Sequence, residues 1–224
     1  MSIAKFLALM TSMVDDPALG GTFDSEGENV DGTPRVTIGS YELVLKGEDR
    51  SEAREVVLGG EKVLLAIVAD GHGGKQASVH CHATLLDNFV QAAGGFADAS
   101  AKTFRGAARA VFATAHQEIL DMQPPTTAGT TLTILAVNPK RREITCAHVG
   151  DSVAMLVPRD GSAPTELCED HRIDTSDIER ARLIAAGGTI APATDSNGQP
   201  GGPLRLWPGG VAQARSIGDS DIND

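Results

Sequence analysis

Two short runs in this chain combine residue types that catalysis uses. The first, Asp70-Gly71-His72-Gly73-Gly74, follows the apolar run of residues 63–69. A strand of that kind holds the Asp70 carboxylate rigidly at its end, and Gly71 lets the backbone carbonyl come close to an ion. Oxygen ligands of this sort suit a hard cation. His72 titrates near neutrality and has the chemistry of a general acid to a leaving oxygen. The same five residues also make an ordinary tight turn. The second run, Gly150-Asp151-Ser152, is expected at a hairpin tip between strand-like residues 143–149 and 152–157. There, turn chemistry alone accounts for Asp and Gly.

Other reactive side chains read as ordinary structure. His80-Cys81-His82 resembles a soft-metal cluster, but consecutive residues on a helix point in different directions and do not converge on one ion. Cys146 and His148 alternate along a strand, where sulfur and imidazole more often fill a sheet face than ligate. Lys140-Arg141-Arg142 follows Asn138-Pro139 and is expected in a solvated loop.

The elements that must position these residues follow from periodicity. Residues 20–34 are rich in Gly, Asp and Glu, so 1–34 reads as a mobile leader and the domain as 35–224. Residues 36–45 alternate like a strand, and 56–58 and 63–69 read as two strands joined across Gly59-Gly60. Two helices are predicted next. One carries Leu85, Leu86, Phe89 and Val90 on its apolar face, and the other carries Ala108, Val111, Phe112, Ala115 and Ile119. Strands over 130–137, 143–149 and 152–157 follow, and their short connections require antiparallel pairing. A third helix is predicted over 176–186, closed by Gly187-Gly188, and 192–208 reads as loop. This order predicts an α+β protein with antiparallel sheets covered by helices.

Bulk composition narrows the function classes. A chain of 224 residues, 41% apolar and 22% charged, suits one domain with one core. A formal net charge of -11 opposes long-range attraction to nucleic acid or to an anionic membrane. Three cysteines without finger spacing argue against a disulfide framework and fit a reducing compartment. The apolar residues 3–14 are broken by Lys5 and Ser12 and followed by Asp15-Asp16, so they do not span a bilayer, and they lack the features of a signal peptide. The expected location is the cytoplasm or nucleus.

The ordered series decides between turn and site. It runs Asp70-Gly71-His72-Gly73-Gly74, Gly129-Thr130-Thr131, Gly150-Asp151-Ser152, Asp170-His171, Glu179-Arg180 with Ala186-Gly187-Gly188, and finally Ala214-Arg215-Ser216-Ile217-Gly218-Asp219. Motif for motif, residues 35–224 resemble the PP2C-type, metal-dependent serine/threonine protein phosphatases, and residues 204–219 resemble the plant and protist branch. The resemblance implies two layered antiparallel sheets flanked by helices. It also implies two Mg2+ or Mn2+ ions in the cleft and a metal-activated water that attacks a phosphoserine or phosphothreonine of a protein substrate. By motif position Asp70 would bridge the ions, the Gly71 carbonyl would be a ligand, His72 would protonate the leaving oxygen, and Asp151 would hold a further, weaker metal.

The family's first motif places a phosphate-gripping arginine a few residues ahead of a Glu-Asp pair. In the preferred frame Arg50 is the phosphate fork and Glu55 the second acid, with Arg54 in place of the first; an exposed charged turn is the plainer reading. The alternative frame uses Glu48-Asp49 and has no arginine at the right distance ahead of them. The family continues to Asp-Gly and Asp-Asn motifs whose aspartates hold one ion, and this chain reaches Asp224 without them, so one ion site is expected to be incomplete. The expectation is a monomeric phosphatase of phosphoproteins, or else a catalytically impaired phosphatase-like fragment or pseudophosphatase that acts as a binding module.

Overall fold

The computed structural model describes residues 7–10, 36–40, 46–96, 98–158, 160–194 and 197–222. Within the predicted leader, Leu7–Met10 forms strand β1, paired antiparallel with β2 (Thr37–Ser40). The remainder of 1–34, and residues 41–45 of the strand read over 36–45, lie outside the described residues.

The main sheet grows from the apolar run ahead of Asp70. Strand β3 (Arg50–Leu58) turns back as β4 (Glu61–Ala69), with Arg50 opposite Ala69 and Leu58 opposite Glu61. Seven consecutive residues of β4, 63–69, are buried. That requires cover on both faces and a neighbour on each side. The neighbours are β3 and β7, for the antiparallel strand order is β3-β4-β7-β8, with β7 (Leu132–Asn138) and β8 (Glu143–Val149) following the helices. Between them, β5 (Gly71–His72) and β6 (Gly129–Thr130) lead out of β4 and into β7, and they pair with each other.

Helices α1 (Gln76–Gly94) and α2 (Ala101–Leu120) cover the sheet. Of their predicted apolar stripes, Leu85, Leu86 and Phe89 on α1 and Ala108, Val111, Ala115 and Ile119 on α2 are buried, Val90 and Phe112 are partly buried, and Cys81 and Phe104 join them in the core. Phe89 and Phe104 meet with ring centroids 5.8 Å apart. Full burial of each ring contributes roughly 1.5–3 kcal/mol. Ser100 starts α2 by accepting the Thr103 N–H at 3.3 Å. Among the described residues no helix is long and apolar enough to cross a membrane.

Past β8 the structure departs from the predicted meander. The strand expected over 152–157 shortens to β9 (Met155–Leu156), which pairs with β10 (Thr165–Glu166) and not with β8. Gly150-Asp151-Ser152 is therefore no hairpin tip. Its backbone bonds instead to His171, in both directions, and the Ser152 hydroxyl to Thr131.

Helix α3 (Asp177–Ala185) matches the prediction, with Ser176 accepting the Glu179 N–H. It closes in a Schellman motif, in which Gly187 N–H bonds Ile184 O and Gly188 N–H bonds Leu183 O. Where loop was predicted over 192–208, a ribbon forms: β11 (Thr189–Thr194) against β12 (Pro200–Trp207), with an irregularity in register between Pro192 and Thr194. A two-stranded ribbon has open edges that tolerate proline, so composition concealed it. Strand β13 (Ile217–Gly218) then pairs with β6, completing the short sheet β13-β6-β5.

Candidate active site

A cleft of about 540 Å3 opens at the Asp70 end of the main sheet. Because Arg50 lies opposite Ala69, the residues just before β3 are laid across the Asp70–Gly74 loop. Glu48 ties this crossing together. Its Oε1 accepts the Gly74 N–H at 3.0 Å, and its carbonyl accepts the Ser78 hydroxyl. A Cβ at position 71 would run into that carbonyl, so the crossing needs glycine there.

The opposite wall is held by Thr131. Its Oγ1 accepts the Asp70 N–H at 3.2 Å and shares a 2.7 Å hydrogen bond with Ser152 Oγ. Thr131 also fills the space that a side chain at Gly150 would need, and Gly150 has a φ of +101°. Asp151 is thereby presented to the cleft, where Arg172 Nη1 donates to its Oδ2 at 2.8 Å and Gln213 Nε2 to its Oδ1 at 3.4 Å.

His72 is held from the far end of the chain. Its Nε2 lies 2.9 Å from both carboxylate oxygens of Asp219, which is 3% exposed and also accepts the Ser216 hydroxyl. The sheet β13-β6-β5 makes this meeting, since Ile217 and Gly218 pair with β6 and β6 pairs with Gly71 and His72. Burial pushes the His72 pKa down, but the hydrogen bond and charge of Asp219, with Asp70 and Asp151 beyond, outweigh it and the net direction is up.

Of the residues singled out from sequence, Asp70, Gly71, His72 and Asp151 line this one cleft, together with Glu48 and Asp49 of the alternative frame. Arg50 and Glu55 of the preferred frame are not brought there. Arg50 folds its guanidinium back onto the carbonyls of Gly47 (2.9 Å) and Asp49 (2.6 Å). Glu55 pairs with Leu64, five residues along β3 from Arg50, or about 17 Å at strand spacing. Its exposed carboxylate bonds Lys62 Nζ at 3.1 Å. Arg54 binds Asp87 of α1 and faces Glu52, so the charges of 50–55 stitch an edge strand to its surroundings.

Asp219, Arg172, Lys46 and Arg205 are cleft residues to which the sequence reading assigned no role. Asp219 stood in a quoted motif, but its partner lies 147 residues away. Arg172 directly follows the quoted Asp170-His171. Elsewhere, His80 bonds Glu118 and Cys81 is buried, so the His80-Cys81-His82 run does not converge. Arg141 and Lys140 are paired to Glu61 and not simply solvated.

Six carboxylates, Glu48, Asp49, Asp70, Asp151, Asp219 and Asp221, face the cleft against three fixed cations, Lys46, Arg172 and Arg205. That excess of hard oxygen donors fits Mg2+ or Mn2+. No three described His, Cys, Asp or Glu side chains are already gathered as an ion cage.

Fold and cleft together define an α+β protein with an acidic, cation-suited cleft at the strand ends of an antiparallel sheet. A family model described as Protein phosphatase 2C matches residues 51–224, and the chain belongs to that family. It is 33% identical over 231 residues to "Probable protein phosphatase 2C 5" of Arabidopsis thaliana, covering 100% of this chain and 52% of that protein. To "Probable protein phosphatase 2C 69" of Oryza sativa subsp. japonica it is 33% identical over 199 residues, covering 85% and 46%. The chain thus spans about half the length of the curated relatives it matches.

Among solved structures, a C. elegans sex determining protein aligns with a TM-score of 0.64 at 21% identity, over 81% of this chain and 44% of that one. The serine-threonine phosphatase 2C from Toxoplasma gondii aligns at 0.54 and 13% identity, over 80% and 71%. At these identities the likeness establishes the fold alone.

Proposed function

We propose that this chain carries the catalytic cleft of a Mg2+- or Mn2+-dependent phosphatase acting on phosphoserine and phosphothreonine in proteins. The observation that carries the reading is the convergence of Glu48, Asp49, Asp70, Gly71 and His72 at one cleft in a chain of this family. Glu48, Asp49, Asp70 and the Gly71 backbone are the groups that would hold metal, with Asp151 at a further position. Divalent ions supply a water of lowered pKa as nucleophile.

The remaining steps fall to the protein's own groups. With Nε2 engaged by Asp219, His72 has Nδ1 left to deliver a proton to the departing serine or threonine oxygen. Asp219 acts through His72, fixing its ring and favouring its charged form. Lys46, Arg172 and Arg205 line the cleft as cations able to orient a phosphoryl group, in place of Arg50. We further assign action as a monomer on phosphoproteins in the cytoplasm or nucleus, with no nucleic-acid or membrane partner. The acidic net charge and the three unpaired cysteines support that placement. The alternative of a non-catalytic module drew on Arg54 in an acidic place and on the unmatched Asp-Gly and Asp-Asn motifs; Glu48 and Asp49 lining the cleft remove the first support and leave the second untouched.

The test is hydrolysis of a phosphothreonine peptide with Mn2+, with chelator, and by the Asp70→Ala variant. Turnover that requires Mn2+ and drops by orders of magnitude in the variant is the expected result. Turnover indifferent to chelator, or none by folded protein, would sink the proposal.

A further inference from the structure

The outward face of β8 carries Cys146 and His148, two residues apart on the same side. Residues 167–171 are laid over that face. His148 Nε2 meets Glu169 O at 2.6 Å, and the His148 and His171 rings stack with centroids 4.5 Å apart. Cys168, one residue before Glu169, is thereby set beside Cys146, the thiol of which feels it as an electrostatic neighbour. Neither cysteine belongs to the cleft, and both are unpaired and only partly buried. We infer that Cys146 and Cys168 are a peroxide-responsive dithiol, a modification site at which hydrogen peroxide forms a reversible intramolecular disulfide.

The two thiols have different roles. Cys168 Sγ accepts the Ala154 N–H at 3.1 Å, a bond that fixes the sulfur in place. Burial, then the neighbouring Cys168, pushes the Cys146 thiol up to about 12, so it stays protonated. Cys168 is accordingly the attacking sulfur. Its thiolate takes one oxygen of peroxide to become a sulfenic acid, and hydroxide leaves. Cys146 sulfur then attacks Cys168 sulfur, expels that oxygen and gives up its proton, so that two thiols and one peroxide become one disulfide and two waters. The two sulfurs together lose two electrons and the peroxide gains them. The link reaches the cleft through Cys168, which also contacts the Ser152 and Ala154 carbonyls, because Ser152 shares the Thr131 hydroxyl that holds the Asp70 N–H.

The experiment is a peptide map of the wild-type protein after hydrogen peroxide, alkylation and digestion without reduction. Trypsin cuts after Arg142, Arg159 and Arg172, so the two cysteines fall in separate peptides. The expected result is one cross-linked species joining 143–159 to 160–172, lost on adding dithiothreitol and unchanged in yield on dilution. In Cys146→Ser, Cys168 should stop at a sulfenic acid that dimedone traps; in Cys168→Ser, no dimedone adduct should form at Cys146. Irreversible sulfinic acid at Cys168 of the wild type without the cross-link, or a link that instead contains Cys81 or joins two chains, would overturn the inference.

Discussion

The two sides of the cleft are built to different standards. The side formed by β3 to β8 with α1 and α2 rests on 23 buried apolar residues. The side formed by α3, the β11–β12 ribbon and the segments around them closes over four, Ile173, Leu183, Leu206 and Val211. Asp70, Gly71 and His72 belong to the first side, whereas Arg172 and Arg205, which face the same cleft, belong to the second. Asp70, Gly71 and His72 are thus fixed by the main core, and two of the three cations assigned to the phosphoryl group, Arg172 and Arg205, ride on a small satellite core. Local opening free energy tracks such differences, so the satellite side should open first.

The comparison breaks most sharply in the main core. Phe89→Ala removes a ring that is 1% exposed and packed on Phe104, and should cost about 3–5 kcal/mol of global stability in denaturant unfolding. Leu206→Ala, in the satellite core, should cost about 2 kcal/mol, with faster amide exchange confined to α3 and the ribbon. Equal, global effects of the two would erase the distinction.

The satellite side has an electrostatic anchor that sharpens the contrast. Glu179, 4% exposed, binds Arg182 (2.7 Å) and Arg215 (2.9 Å), joining α3 to the segment that leads into β13. Burial pushes its pKa up, but the two arginines outweigh this and hold the carboxyl below its ordinary value. A depressed carboxylate contributes stability above its unfolded pKa and loses it as pH falls through the folded value. Glu179→Gln should therefore cost about 1–2 kcal/mol of α3 protection at neutral pH, with the difference from wild type shrinking in acid. A difference that grows on acidification would contradict the assignment.

The smallest effect concerns a proton and not the fold. Asp219→Asn leaves His72 buried without its nearest countercharge, so its pKa should fall from the raised wild-type value. Proton NMR titration of the imidazole in metal-free protein reads this directly. In the wild type the raised pKa means that the His72–Asp219 pair stabilises below the unfolded histidine value, and that this is lost as pH rises through the folded value. An unchanged titration would remove Asp219 as the positioning residue.

What could be read from sequence divides along the same line. The apolar run before Asp70 and the 3.6-residue stripes of α1 and α2 were legible because a large core imposes strong periodicity. The ribbon was not, for with Gly201, Gly202 and Pro203 inside β12 its pairing owes little to burial. Which charged residues of the first motif reach the cleft follows from strand register: β3 starts at Arg50, which leaves Glu48 and Asp49 beside Asp70 and carries Glu55 away from it. Nothing local in the charged run 48–55 encodes that register. His72–Asp219 joins residues 147 positions apart through two-residue strands too short to leave a pattern.

The most direct measurement is Mn2+ binding, followed by loss of the free-ion electron paramagnetic resonance signal, in wild type, Asp49→Ala and Glu55→Ala. The cleft described here predicts that Asp49→Ala weakens binding by about tenfold or more, while Glu55→Ala matches wild type. Weakened binding in Glu55→Ala with Asp49→Ala unaffected, or no Mn2+ bound by the folded wild type, would contradict it.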